Sequence, residues 1–134
     1  METCRIILFI AILFLPFAAL ASTAGAEPGT VITQADNGKE ITVSESEVFE
    51  IRLEQAGGTG YSWEIVDPDK THLQVLATTH TPLKKGPILG GPLLTTWQVK
   101  AVKAGNTQIR ILLYRPWEGP EKAAERFQVS IRIR

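Results

Sequence analysis

The sequence predicts an all-β domain, an immunoglobulin-like antiparallel β-sandwich of about seven strands. Three observations predict it. Apolar and polar residues alternate with a period of two along most of the chain after residue 26, the pattern of half-buried strands. Clusters of turn-forming residues separate the alternating runs. No segment after residue 26 keeps a helical period over three turns; Lys122 to Arg126 has room for one turn at most.

The elements follow in order. Val31–Gln34 and Glu40–Val43 are short strand candidates on either side of an Asp36-Asn37-Gly38 turn. In Val48–Glu54, Phe49, Ile51 and Leu53 share one face, while Glu50, Arg52 and Glu54 take the other. After Gly57-Gly58, Tyr61–Val66 carries Trp63, placed for a core in the way a sandwich uses one buried tryptophan. Asp67-Pro68-Asp69 turns the chain into Leu73–Thr79. Beyond Gly90-Gly91-Pro92, Trp97, Val99 and Ala101 alternate with Thr96, Gln98 and Lys100. Ala104-Gly105-Asn106 leads into Thr107–Tyr114, where Ile109, Ile111 and Leu113 face one way and Leu112 makes the other face partly apolar. The last strand is the most regular, with Phe127, Val129, Ile131 and Ile133 between Arg126, Gln128, Ser130, Arg132 and Arg134. Connections this short leave no room for helical crossovers, so antiparallel pairing is expected.

The amino terminus has a different character. Ile6–Ala21 is an apolar run of 16 residues, and Ala19-Leu20-Ala21 and Ala24-Gly25-Ala26 both fit an A-x-A cleavage site. This is the layout of a signal peptide over residues 1–26, which leaves a soluble domain over 27–134. An uncleaved anchor is the other reading, disfavoured because a spanning helix needs about 20 apolar residues. The expected location is therefore secreted or periplasmic, with no stable membrane association after cleavage. The chain's one cysteine, Cys4, precedes the apolar run and would leave with it, so disulfides, thiolate metal sites and cysteine nucleophiles are excluded from the domain. Fourteen basic residues balance fourteen acidic ones and Lys84-Lys85 is the largest basic cluster, which argues against nucleic acid as a partner.

Catalytic and metal-binding patterns are missing. Gly57–Gly60 is followed by a strand and not by the helix that a phosphate cradle opens. His72 and His80 stand eight apart with no H-E-x-x-H spacing, the calcium-loop pattern is absent, and no G-x-S-x-G occurs. No cofactor, metal or enzymatic activity is expected. What stands out instead is three connections. Glu54–Gly60 is glycine-rich, and Thr81–Leu94 carries prolines, glycines and aliphatics. Tyr114–Glu125 spends a dozen residues and a tryptophan where a hairpin needs two to five. Long loops of this kind more often bind than merely connect.

Those loops carry a family resemblance. Gly58-Thr59-Gly60-Tyr61-Ser62-Trp63, the Gly86–Pro92 stretch with Gly90-Gly91, and Tyr114-Arg115-Pro116-Trp117-Glu118 resemble the chagasin family of cysteine-peptidase inhibitors. That family's marks are N-P-T-T-G-[YF], G-x-G-G and R-P-W in the same order. The resemblance implies a monomeric, reversible, non-covalent inhibitor of papain-like cysteine peptidases, with three loops at one end of the sandwich entering the active-site cleft. It implies that Gly58, Thr59, Gly60, Tyr61, Gly90, Gly91, Arg115, Pro116 and Trp117 contact the peptidase. Trp117 and Arg115 are residue types that dominate binding hot spots, and Pro116 limits the entropy lost on docking.

Plainer roles stand beside these. Trp117 has the option of folding back over the end of the sandwich, Arg115 of pairing with Glu118 or Glu121, and Tyr61 of packing at the loop base. Ala56-Gly57-Gly58 departs from the Asn-Pro-Thr of the pattern, so the first loop is expected to be looser, at an ordering cost of about 1 kcal/mol or more per residue. Weaker inhibition than a full-motif member gives, or none, follows from that departure. The competing function is an exported immunoglobulin-like adhesion or envelope-binding module without inhibitory activity.

Overall fold

A computed structural model describes residues 29–83 and 91–134. Among the described residues eight strands form two four-stranded sheets packed face to face. In chain order they are β1 (Val31–Thr33), β2 (Glu40–Val43), β3 (Val48–Gln55), β4 (Ser62–Val66), β5 (Leu73–Pro82), β6 (Leu93–Ala101), β7 (Gly105–Tyr114) and β8 (Glu125–Ile133). The first sheet has the order β1-β3-β6-β5 and the second β2-β8-β7-β4. The signal-peptide segment, residues 1–26, lies outside the described residues. No helix among the described residues is long and apolar enough to cross a membrane.

The alternation read from the sequence becomes the core. Phe49, Ile51, Leu53, Trp97, Val99 and Ala101 point inward from the first sheet, each at most 3% exposed. Trp63, Ile109, Ile111, Phe127, Val129 and Ile131 meet them from the second. Leu112, on the outer face of β7, is still only 8% exposed, and a 3-10 turn at Pro120–Lys122 packs against its strand.

The central ladders β3/β6, β5/β6, β4/β7 and β7/β8 are antiparallel, but β1 pairs with β3 and β2 with β8 in parallel. The crossover argument does not reach these two pairs because their members, though neighbours in a sheet, are not consecutive in the chain. The chain passes from β1 through a single 3-10 turn (Gln34–Asp36) to β2 in the opposite sheet and back to β3, and two reversals restore the original direction without an α-helical crossover. Asn37 splices the short edge strand β2 onto the sheet. Its side chain donates to the Arg126 carbonyl (3.2 Å) and accepts from the Gln128 amide (3.0 Å), and Gly38, at φ 81°, donates to the Gln128 carbonyl (2.7 Å).

At one end of the sandwich Asp69 ties the β4–β5 turn to β7. Its Oδ2 accepts from the Thr107 hydroxyl (2.8 Å) and meets the His72 ring Nδ1 (2.7 Å), and its Oδ1 accepts from the Thr71 amide (3.0 Å). Donation from Thr107, then from His72, holds the carboxyl below its ordinary value of 3.8 against the opposing pull of burial. A carboxyl lowered on folding adds stability above pH 3.8, and that stability is lost as pH falls through the lowered value. Asp69→Asn should therefore lower the melting temperature at pH 6 and flatten its decline below pH 4. Thermal unfolding followed by circular dichroism across that range checks both.

Candidate functional site

The strand registers bring the three unusual connections together. β3 ends at Gln55 opposite Leu93, the first residue of β6, and β5 ends at Pro82 opposite the same Leu93. In the other sheet β4 begins at Ser62 opposite Tyr114, the last residue of β7, while Leu113 faces Glu125 at the start of β8. Segments 56–61 and 115–124, and the described ends of the second connection at Leu83 and Gly91–Pro92, thus lie at one end of the sandwich, opposite the Asp69 turn. Residues 56 apart in sequence touch there: the Arg115 Nε donates to the Thr59 carbonyl at 3.0 Å.

A buried polar hub underlies this end. Gln55, 9% exposed, accepts at Oε1 from the Trp63 amide (3.2 Å) and from the fully buried Thr95 hydroxyl (3.4 Å). Its Nε2 donates to the Tyr61 carbonyl (3.0 Å), and His80 Nδ1 lies 3.1 Å from the Thr95 hydroxyl. The Trp63 indole N–H donates to the Glu54 carbonyl at 3.0 Å, so both partners of the β3–β4 connection are pinned at its base. Sequence reasoning missed Gln55 and Thr95 as supports of the site. The signal was present: Gln55 continues the inward series Phe49, Ile51, Leu53, and Thr95 the series of Trp97 and Val99, so each is a polar group placed where the core requires a partner.

The loop above that base is glycine-shaped. Gly58 and Gly60 take φ values of 73° and 79°, in the left-handed region that side chains resist. The Trp117 ring lies against Gly60; a Cβ on Gly60 would fall 2.3 Å from the ring's Cη2. Trp117 is 72% exposed, so its ring is not folded away over the sandwich but stands on the first loop. Tyr61 is half-buried and packs against the core, the loop-base role.

Arg115 occupies the space between them. Its guanidinium stacks on the Tyr61 ring at 4.4 Å from the centroid, lies 5.9 Å from the Trp117 ring, and pairs with Glu118 at 3.2 Å. A tight turn over 115–119, closed by the Glu118 and Gly119 amides on the Arg115 carbonyl (2.9 and 3.2 Å), presents Pro116 and Trp117 at its tip.

Of the residues singled out from sequence, Gly58, Thr59, Gly60, Tyr61, Arg115, Pro116 and Trp117 thus form one contiguous edge. Gly91 is half-buried two residues before Leu93 at the same end, and Gly90 lies outside the described residues. The edge combines glycine main chain, the exposed Trp117 ring and an arginine stacked on Tyr61, which suits docking by shape. Among the described residues no three His, Cys, Asp or Glu side chains gather as a metal site would need. A recess of about 530 Å³ lined by Ile65, Leu73, Val75, Val99 and Ile109 shares no residue with this edge.

Known proteins resemble this chain in sequence and in fold. The model of the chagasin family peptidase inhibitor I42 matches residues 42–131. Chagasin from Trypanosoma cruzi is 29% identical over 106 residues, 75% of this chain and 94% of its own length. Amoebiasin-2 from Entamoeba histolytica is 26% identical over 118 residues, 88% of this chain and 96% of its own length. The crystal structure of the cysteine protease inhibitor EhICP2, also from Entamoeba histolytica, superposes with a TM-score of 0.69 at 25% identity. That superposition covers 81% of this chain and the whole of EhICP2.

Proposed function

The chain belongs to the chagasin family of peptidase inhibitors, and from that premise we propose that it is exported and inhibits papain-like cysteine peptidases by wedging the Thr59–Trp117 edge into their active-site cleft. The observation that carries this reading is the packing of Trp117 on Gly60, which turns two distant loops into one narrow edge. A cleft a few residues wide admits such an edge as a unit.

Each residue has a part in it. Gly58 and Gly60 let main chain approach the catalytic thiol without side-chain obstruction. The Thr59 carbonyl, the group nearest in kind to a scissile bond, is already held by Arg115 at 3.0 Å and so points back into the inhibitor. That leaves the thiol blocked but with no carbonyl offered in a cleavable pose, and binding is reversible. Trp117 supplies the apolar anchor on the cleft wall. The Gly90-Gly91 segment contributes the third contact. The inhibitor acts as a monomer without metal or cofactor, and it has no catalytic part of its own.

The test is a titration of the purified full-length chain against papain and a small panel of related peptidases, following hydrolysis of a fluorogenic peptide. Inhibition at micromolar protein or below is expected, with activity recovered on dilution and the inhibitor recovered uncleaved by mass spectrometry. Absence of inhibition across the panel at micromolar protein would instead favour an adhesion or envelope-binding module.

A further inference from the structure

We propose that Arg115 is a positioning residue, a latch that holds the glycine-rich first loop in its binding shape, and does not itself grip the peptidase. The proposal rests on the inhibitory reading above and concerns how that edge is kept ready.

Consider what fixes residues 57–60. The loop's own bonds at its tip are long: Thr59 Oγ1 to the Ala56 carbonyl and the Tyr61 amide to Thr59 Oγ1 are both 3.4 Å. Gly57, Gly58 and Gly60 give the chain maximal freedom in the unbound state, and freezing that freedom on docking weakens binding. The short bond to this tip is the one from Arg115 to the Thr59 carbonyl, 3.0 Å.

Arg115 is itself held from three sides. The Tyr61 ring lies beneath its guanidinium at 4.4 Å, the Glu118 carboxylate accepts from Nη1 at 3.2 Å, and the Trp117 ring flanks it at 5.9 Å. Nε and Nη1 are thus engaged within the inhibitor, two of the guanidinium's five N–H donors, and the side chain is 34% exposed. Tyr61 in turn is anchored through its carbonyl to the buried Gln55. The latch therefore connects the loose tip to the rigid hub, and Arg115 compensates for a first loop built without proline.

Positioning and gripping differ in kinetics. If Arg115 acts by keeping the loop competent, its loss lowers the fraction of free inhibitor ready to dock, which slows association and leaves the assembled complex nearly unchanged. If it grips the peptidase, its loss speeds dissociation. Arg115→Lys keeps charge and reach but loses the planar stack and the Nε donor.

The experiment uses the full-length chain, Arg115→Lys, Gly57→Ala and the double variant, with papain as the probe. For Arg115→Lys we expect association slowed about 10-fold and dissociation changed less than about twofold. Amide exchange of residues 58–61 in the free protein should accelerate, with the melting temperature held. Among the loop's glycines only Gly58 and Gly60 take positive φ, so alanine at 57 stiffens the loop without backbone strain. Gly57→Ala should restore most of the lost association rate in the lysine background while changing the otherwise native chain less than about twofold.

Faster dissociation with unchanged exchange and no rescue overturns the latch. Exchange is measured on the free protein, so it decides the latch even if the native chain slows no peptidase, an outcome that sinks the inhibitory reading alone.

Discussion

Gly60→Ala should weaken inhibition by about 100-fold while leaving the sandwich folded. Two effects add. At φ 79° an alanine pays the left-handed penalty of about 1–2 kcal/mol, which the free loop sheds by relaxing and which docking must pay to restore the binding shape. Its Cβ would also arrive 2.3 Å from Trp117 Cη2, well inside contact distance, so one of the two must move. The ring is the end of a largely exposed side chain, 72% accessible, and moves more readily than the main chain beneath it. Its displacement removes the shared edge at a cost near that of losing an anchoring tryptophan, about 2 kcal/mol. Together these reach about 3 kcal/mol, or somewhat over two factors of ten. The core is not touched, so the melting temperature should fall by only a few degrees. Inhibition constants for papain beside thermal unfolding curves check both halves. A variant that unfolds, or one that inhibits within threefold of the native chain, contradicts the shared-edge account.

Much of this was legible from the sequence, and the reason is periodicity. A strand buried on one face must alternate, so the runs at Phe49–Leu53, Ile109–Leu113 and Phe127–Ile133 revealed both the class of fold and its core. The ends were less legible. β5 runs to Pro82 and β6 starts at Leu93, both inside what looked like loop, because hairpin strands continue wherever main-chain pairing is available, whatever the side chains. The parallel edge pairs escaped because direction follows from which sheet each strand joins, a long-range fact that local turn chemistry does not encode. Within the site, the sequence singled out loops that the fold brings together and offered Glu118 as a partner of Arg115, but it gave no sign of the bond to Thr59. The main-chain carbonyl of Thr59, 56 positions earlier, lies in front of that arginine, a neighbour that no local pattern encodes. Gln55 and Thr95 show the converse: a period of two placed them inward, and only the geometry explains what they satisfy.

The sharpest quantitative consequence concerns Trp117→Ala, which should cost about 2 kcal/mol or more, roughly 30-fold in the inhibition constant. Exposed indoles are costly to leave in water, and this one is 72% accessible while resting only one edge on Gly60. If the edge enters a cleft as proposed, most of that ring's burial is gained on binding. The fold has little stake in it, so thermal stability should change by no more than a degree or two. Dissociation should accelerate more than association slows, because an anchor acts after encounter, in contrast to the kinetic pattern expected at Arg115. The decisive measurement is the pair of variants taken together. If Gly60→Ala acts by displacing this ring, adding it to Trp117→Ala should cost only the backbone penalty, and the double variant should fall short of the summed losses by about 2 kcal/mol. Simple additivity in that cycle would mean that the two loops meet the peptidase independently, and that the narrow edge formed by their contact is incidental to inhibition.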